Sequence, residues 1–442
     1  MAAVRKETKV TGTSNDTAHG KSGPLAPLAR RAFRVLWTGQ TVSSAGDALV
    51  QIAFVFAILR VGGTASDIGF TAAAQAIARI AFVLAGGVWA DRLRRDVVML
   101  VSDGLRAAVQ AALAVLLLTG RAHVWELGLG AAVYGAAQSF FGPASAGLLP
   151  EIVPGEQLQR ANALMGFSAS FFSVGGPAAA GLLIAFFGPG PLFAIDAATF
   201  VVSAASLSVL RVPPRSLPER QSFRTDLVTG WRELASRPWY WINLIAHTLW
   251  NLSTAAYIVL GPVIAERMLG GASAWGTISA GYALGAAAGG LIALRLRPAR
   301  PLVAANLALA LGACPLLALA VPLATWKIAI AAALASAGML FLNTVWTATM
   351  QQLIPDEVRS RVDSYDWLIS LVILPAGLVI VGPLAARIGD ATTLVGAALL
   401  AGVPPVSVLL VPAIRGIRRN KDGTVSGPPI SGPPDRDAPA RV

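Results

Sequence analysis

Residues 302–321 read LVAANLALALGACPLLALAV, twenty positions without one charged side chain. At 1.5 Å per residue such a run makes about 30 Å of helix, the thickness of the hydrocarbon layer of a bilayer. Arg295, Arg297 and Arg300 stand before it and Lys327 follows it. The same alternation of apolar block and basic connection extends outward in both directions. Spans are expected near 34–59, 68–88, 97–119, 124–147, 162–187, 191–210, 240–265, 273–294, 302–321, 327–349, 366–386 and 391–414. Of the 442 residues 55% are hydrophobic and 13% charged, where a soluble domain carries about a quarter charged. In lipid the backbone must satisfy its own hydrogen bonds, which leaves helices or a closed barrel. The alternating ten-residue strands of a barrel are absent. The expectation is an all-α membrane protein with twelve transmembrane helices.

The most polar interior stretch, Arg211 to Pro238, holds Pro213, Pro214, Pro218 and six arginines. It divides the chain into a tail (1–31), a six-helix half (32–211), a central loop (212–238), a second six-helix half (239–414) and a tail (415–442). Both tails are rich in Gly, Pro, Ser, Thr and charge and are expected to be disordered. With the N-terminus inside, 28 of the 35 Lys and Arg fall in cytoplasmic segments. Five lie in outer loops (Arg60, Arg121, Arg267, Lys327 and Arg387), and Arg79 and Arg106 lie within spans. That asymmetry predicts cytoplasmic termini and a multi-pass protein of a bacterial inner membrane. The first 30 residues lack the short apolar core of a signal peptide, so the first helix is expected to act as the membrane signal.

Other classes are disfavoured. The net charge of +12 sits in connections with no aromatic-basic face, so no nucleic-acid partner is expected. Gly20-Lys21-Ser22 resembles the end of a phosphate loop, but Asn15 occupies the position of its first glycine, which argues against an ATP-driven pump. Cys314 is the only cysteine and reads as a small buried residue. Three widely spaced histidines form no metal-ligand grouping, and no catalytic residue, metal or cofactor is expected.

A shift of 201 residues lays Pro154, Glu156 and Arg160 on Pro355, Glu357 and Arg361, and Gly176, Gly181 and Gly188 on Gly377, Gly382 and Gly389. The segments follow span 4 and span 10, which have the same orientation. The halves are therefore expected to be parallel repeats about an axis along the membrane normal.

The connection after span 2 reads Gly87-Val88-Trp89-Ala90-Asp91-Arg92-Leu93-Arg94-Arg95. It resembles the signature loop of the major facilitator superfamily, G-x-L-A-D-R-x-G-R-[RK], with Gly87, Ala90, Asp91, Arg92 and Arg95 matching. Arg94 and Asp96 replace the second glycine and the last basic residue. The resemblance implies a charged clasp (Gly87, Asp91, Arg92, Arg95) between helix ends, and a helix N-terminus favours the carboxylate. A generic basic loop is the plainer alternative. Gly176-Pro177-Ala178-Ala179-Ala180-Gly181 resembles the superfamily's antiporter motif G-P-x-x-G-G, which favours export over import. As a bare pattern it is also tight packing, with a proline kink. Gly281, Gly285 and Gly289 read as packing.

Leu36-Trp37-Thr38-Gly39-Gln40, Gly46-Asp47, Ser102-Asp103-Gly104-Leu105-Arg106 and Leu158-Gln159-Arg160-Ala161-Asn162 resemble the drug and siderophore exporters of that superfamily. That group includes enterobactin exporters and macrolide efflux proteins. Phe193-Ala194-Ile195-Asp196-Ala197 and Asp366-Trp367-Leu368 carry the likeness into later spans, so that it covers residues 33–412.

Ionisable residues inside a membrane are functional candidates by default. Asp47 lies 13 residues into span 1 from inside and Arg79 11 residues into span 2 from outside. The depths converge near the midplane, so an Asp47–Arg79 pair is expected, for proton coupling or as a static ion pair. Asp103 and Arg106 share a face of span 3 and are further coupling candidates. Asp196 reads as structural or gating. Gln75, Gln138, His247, Trp250, Asn251, Asn343, Trp346 and Asp366 are together candidates for a mixed aromatic-polar cavity, although any single such residue is more often an ordinary interhelical hydrogen bond.

The resemblance implies a proton-coupled exporter of small amphipathic molecules (drugs, antibiotics or siderophore-like metabolites) that works by alternating access. Its partners would be substrate, protons and lipid, and it would act as a monomer. Uptake of a metabolite is the alternative within the same fold. A membrane-embedded enzyme or a sensor would need an interfacial catalytic cluster or a soluble signalling domain, and the sequence offers neither.

Overall fold

The computed structural model describes residues 25–210, 234–354, 356–420 and 422–427, with backbone alone at 84–92, 356–361, 363–368 and 370–371. The described residues are almost wholly helical. The first half runs α1 (Arg31–Arg60), α2 (Ala65–Arg92), α3 (Arg95–Leu118), α4 (Val124–Ile152), α5 (Gly155–Phe187) and α6 (Gly190–Ser208). The second runs α7 (Pro238–Ile264), α8 (Ala272–Arg295), α9 (Pro301–Ala320, with a 3-10 turn at Ala310–Gly312), α10 (Thr325–Leu353), α11 (Asp356–Ile388) and α12 (Asp390–Ser407). Among the described residues nine helices are long and apolar enough to cross a membrane, and α11 adds the shorter apolar stretch Val372–Ile388.

Local chemistry sets the helix ends. Thr64 and Asp67 cap each other's backbone at the start of α2, the Thr64 N–H donating to the Asp67 carboxylate at 2.7 Å. At the start of α4 the His123 N–H donates to Glu126 at 2.8 Å. The shift of 201 residues maps α5 onto α11 end for end. Both stop at a glycine in the left-handed region, Gly188 (φ 76) and Gly389 (φ 90), which ends a helix without a Cβ penalty.

The halves meet along two crossings, α5 against α8 and α2 against α11. Both lie toward one end of the bundle. A Cβ on Gly181 would come within 2.6 Å of the Gly276 Cα, and one on Gly382 within 2.5 Å of the Ser66 nitrogen. These glycines let backbones touch across the halves. One apolar cluster at that end draws on both halves, including Phe54, Ile68, Leu127 and Ile184 with Val259, Trp275, Leu316 and Leu394. At the other end the clusters are separate. Phe33, Met99, Leu148 and Leu207 belong to the first half, and Trp239, Tyr240, Met350 and Ile354 to the second. Among the described residues, apolar packing therefore joins the halves at one end, while at the other each cluster stays within one half.

Two segments expected to be disordered are folded instead. Ala26–Ala29 forms a 3-10 turn with Ala26 buried. In the tail called disordered from 415 onward, β1 (Arg418–Arg419) pairs antiparallel with β2 (Val425–Ser426). This hairpin docks on the second half at the end where the clusters are separate. Ile414, Ile417 and Val425 join the Trp239–Met350 cluster, the Arg419 N–H donates to the Ala299 carbonyl at 2.9 Å, and the Val425 N–H donates to the Gln352 side chain at 2.8 Å. Asp422 accepts from Thr424 in the turn, and those hydrogen bonds hold its carboxyl below the usual range. Composition counts the polar residues and overlooks three well-spaced apolar anchors. The remaining tail and loop assignments, 1–24, 212–233 and 428–442, lie outside the described residues. Ile417 is fully buried, so Ile417→Ala is expected to destabilise by about 2–5 kcal/mol. A lowered unfolding temperature of the purified protein in detergent checks it.

Candidate functional site

The first half contains a polar core built from repeated spacing. On α3, Asp103, Arg106 and Gln110 fall at i, i+3 and i+7 and so share a face; on α6, Asp196, Thr199 and Ser203 do the same. The two helices run antiparallel, so the rows meet head to tail. Ser203 donates to Asp103 at 2.6 Å, and Gln110 donates to Asp196 at 2.7 Å. Helix α1 adds Gln40 and Asp47, again seven apart, and Gln40 donates to Ser203 at 3.2 Å. The result is two polar rungs about 10 Å apart, seven residues of helix rise.

The lower rung holds the charge pair. Arg106 donates to Asp103, and both are buried, at 2% and 0% exposure. The guanidinium also lies 4.3 Å from the Phe200 ring centroid and 4.5 Å from that of Phe141. Aromatic faces there take the positive charge where water is excluded. On the upper rung the Tyr134 hydroxyl of α4 donates to Asp47, and Asp196 is fully buried. Asp47 is half-buried, where Asp103 and Asp196 are fully buried.

The expected Asp47–Arg79 pair is not formed. Arg79 is exposed on α2, and Asp47 faces Tyr134 instead. Depth along a helix sets height and says nothing about azimuth. Helices α1 and α2 are consecutive in sequence but barely touch, because α1 packs on α5 and α6 while α2 packs on α4 and α11.

Of the charged clasp, the side chains of Gly87, Asp91 and Arg92 lie outside the described residues. Arg95 reaches from the start of α3 to the end of α4, where it pairs with Glu151 at 2.9 Å and donates to the Gly147 carbonyl. Glu151, half-buried, escaped the sequence reading. Gly176 and Gly181 sit at close crossings, Gly176 over Ala48 of α1 and Gly181 over Gly276 of α8, while Pro177 lies inside an unbroken α5. Gly281, Gly285 and Gly289 pack on Ala329, Ala333 and Ala337 of α10, as expected.

The cavity candidates divide. His247 and Trp346 are both buried and pack edge to face at 4.9 Å, with Tyr240 on the other side of Trp346 at 5.3 Å. They pack within the second half among the described residues. Trp250 lies against Gly312 of α9, with its Nε1 buried and unpartnered among the described residues. Asn251, Gln75 and Gln138 are half-buried, and the Gln75 backbone lies against Gly135. Asn343 is exposed, at one end of a cavity of about 460 Å³ along α10 that also touches Thr344, Thr347, Ala348 and Gln351. Asp366 lies outside the residues whose side chains are described.

Tyr134, Gln110 and Ser203 were missed altogether. The i, i+3, i+7 polar rows on spans 3 and 6 are the signal that could have found the last two.

A family model described as Major Facilitator Superfamily matches residues 36–365. Macrolide efflux protein A of Streptococcus pyogenes is 25% identical over 370 residues, 81% of this chain and 90% of that protein. Multidrug efflux pump Tap of Mycolicibacterium fortuitum is 25% identical over 411 residues, 89% of this chain and 97% of that protein. Among solved structures, the nucleoside transporter NupG superposes with a TM-score of 0.68 at 12% identity, over 86% of this chain and 98% of its own. That likeness concerns the fold.

Proposed function

The chain belongs to the major facilitator superfamily of membrane transporters, matched over residues 36–365, and we propose that it is a proton-coupled exporter of small amphipathic molecules. One observation carries this reading: three carboxyls, Asp47, Asp103 and Asp196, gathered with the Arg106 guanidinium in the core of one half, Asp47 being the least buried of them. Such a core can take up and release protons, which a purely structural ion pair cannot do. The names of the efflux relatives support the outward direction, as does the Gly176-Pro177-Gly181 pattern. The polar, uncharged face of α10 at Asn343, Thr344 and Thr347 suits substrates that offer hydroxyl and carbonyl groups on an apolar body.

In this reading twelve spans form two parallel repeats, with both termini in the cytoplasm and the end with separate clusters facing inward. Asp47 exchanges protons, with Asp103 and Arg106 as its electrostatic setting. The Arg95–Glu151 bridge and the Gly87–Arg92 segment tie helix ends at the cytoplasmic face. Substrate enters between the halves from that face. The halves then rock about the α5–α8 and α2–α11 crossings.

The test uses inside-out membrane vesicles of an expressing bacterium, acidified within by respiration. Labelled erythromycin and ethidium are the probes. Accumulation well above that in vesicles lacking the protein, abolished when nigericin collapses the pH gradient, is the expected result. Equal uptake with and without the gradient for both probes would overturn the proton-coupled reading.

A further inference from the structure

We propose that Asp196 is a second proton-holding carboxyl group, working with Asp47 across the contact of α1 and α6. It deepens the export reading, which supplies the use made of the proton; the location of the proton stands on the geometry of the upper rung.

The first ground is the count of charges. Arg106 is engaged with Asp103 on the lower rung. The upper rung then has two carboxyls, and only neutral groups donate to them: Tyr134 to Asp47, and Gln110 and Thr199 to Asp196. The charged and titratable groups around Asp196 are Asp47 from α1, Arg106 from α3 and Tyr134 from α4. Three carboxyls against one guanidinium leave the core with two uncompensated negative charges unless it binds protons. An uncompensated buried carboxylate is strongly disfavoured.

The second is the fit of the backbone. Gly39 and Gly46 are seven apart on the face of α1 that meets α6, and a Cβ on Gly46 would lie 3.1 Å from the Asp196 Cα. With α1 pressed this closely, that side has no room for a hydrated counter-ion.

The third is an orphaned atom. Gln110 gives an N–H to Asp196, yet its own Oε1 is buried with no donor. A carboxylate can accept from the amide but has nothing to return. A neutral carboxyl carries an O–H, and a carboxyl facing an amide satisfies both partners by exchanging two hydrogen bonds. The protonated form of Asp196 therefore completes the pair that the ionised form leaves half made.

Asp196 is fully buried, and the half-buried Asp47 follows Gly46 directly. A proton held on Asp196 removes the like charge that Asp47 would otherwise feel, so Asp47 can ionise and exchange protons while Asp196 stays neutral. The Tyr134 hydroxyl lies within electrostatic reach of both.

Infrared spectra of the purified full-length protein in lipid nanodiscs near neutral pH test the assignment. The wild type should show the carbonyl stretch of a neutral carboxyl. Asp196→Asn should remove it, and Gln110→Leu, which keeps Asp196, should displace it. If Asp196→Asn does not fold, the displacement in Gln110→Leu decides alone. A spectrum with no such band, or a band that neither substitution moves, overturns the proposal. If the band responds as expected but wild-type vesicles show no gradient-driven accumulation, the export reading fails and the proton remains assigned to Asp196.

Discussion

Arg106→Ala is expected to destabilise the protein by about 3–5 kcal/mol, the usual penalty for leaving one member of a buried pair without its partner. Asp103 would keep only Ser203 as a close donor, at 2.6 Å and at zero exposure. Packing is lost as well, since the guanidinium fills the space between the Phe200 and Phe141 rings. Arg106→Lys keeps the charge but not the flat, stacking shape, and should recover only part of the loss. Replacing both members, Asp103→Asn with Arg106→Gln, removes the stranded charge and should be milder than Arg106→Ala alone. Unfolding temperatures in detergent and amounts of membrane-inserted protein measure all three against the unchanged protein. A double replacement worse than either single change would show that the pair matters through contacts other than its charge.

Asp47→Asn is expected to abolish gradient-driven accumulation while leaving downhill exchange of preloaded probe. The amide has almost the carboxylate's volume and can still meet the Tyr134 hydroxyl, but it cannot carry a proton between the two sides. Tyr134→Phe is the companion. It keeps the ring against Phe200, at 6.0 Å between centroids, and removes only the hydroxyl, so a partial loss is expected. Vesicle uptake with and without a pH gradient, set beside counterflow, separates coupling from passage. Gradient-driven accumulation that survives in Asp47→Asn would remove this residue from the proton path.

The difference between Asp47 and Arg79 shows what sequence spacing can and cannot say. Helix rise is constant, so spacing can say how far along its helix each residue lies. Whether they meet depends on which helices are neighbours and how each is turned. Those follow from glycines that admit close approach, such as Gly39 and Gly46 between α1 and α6.

Read alone, the amino-acid order determined the membrane-spanning helical class and the family. These depend on block length, charge placement and local backbone preference, all written along the chain. It also marked Asp103 and Arg106, because i, i+3 neighbours on one helix touch whatever surrounds them. Only the tertiary structure decided that Asp47 answers to Tyr134, that Asp196 belongs to the same core, that Glu151 receives Arg95, and that the tail after Pro412 folds back onto the bundle. Each of these joins side chains 56 to 149 positions apart, or a tail to a distant surface. Such meetings are set by the crossing of packed helices, and no local pattern encodes the azimuth at which two helices cross.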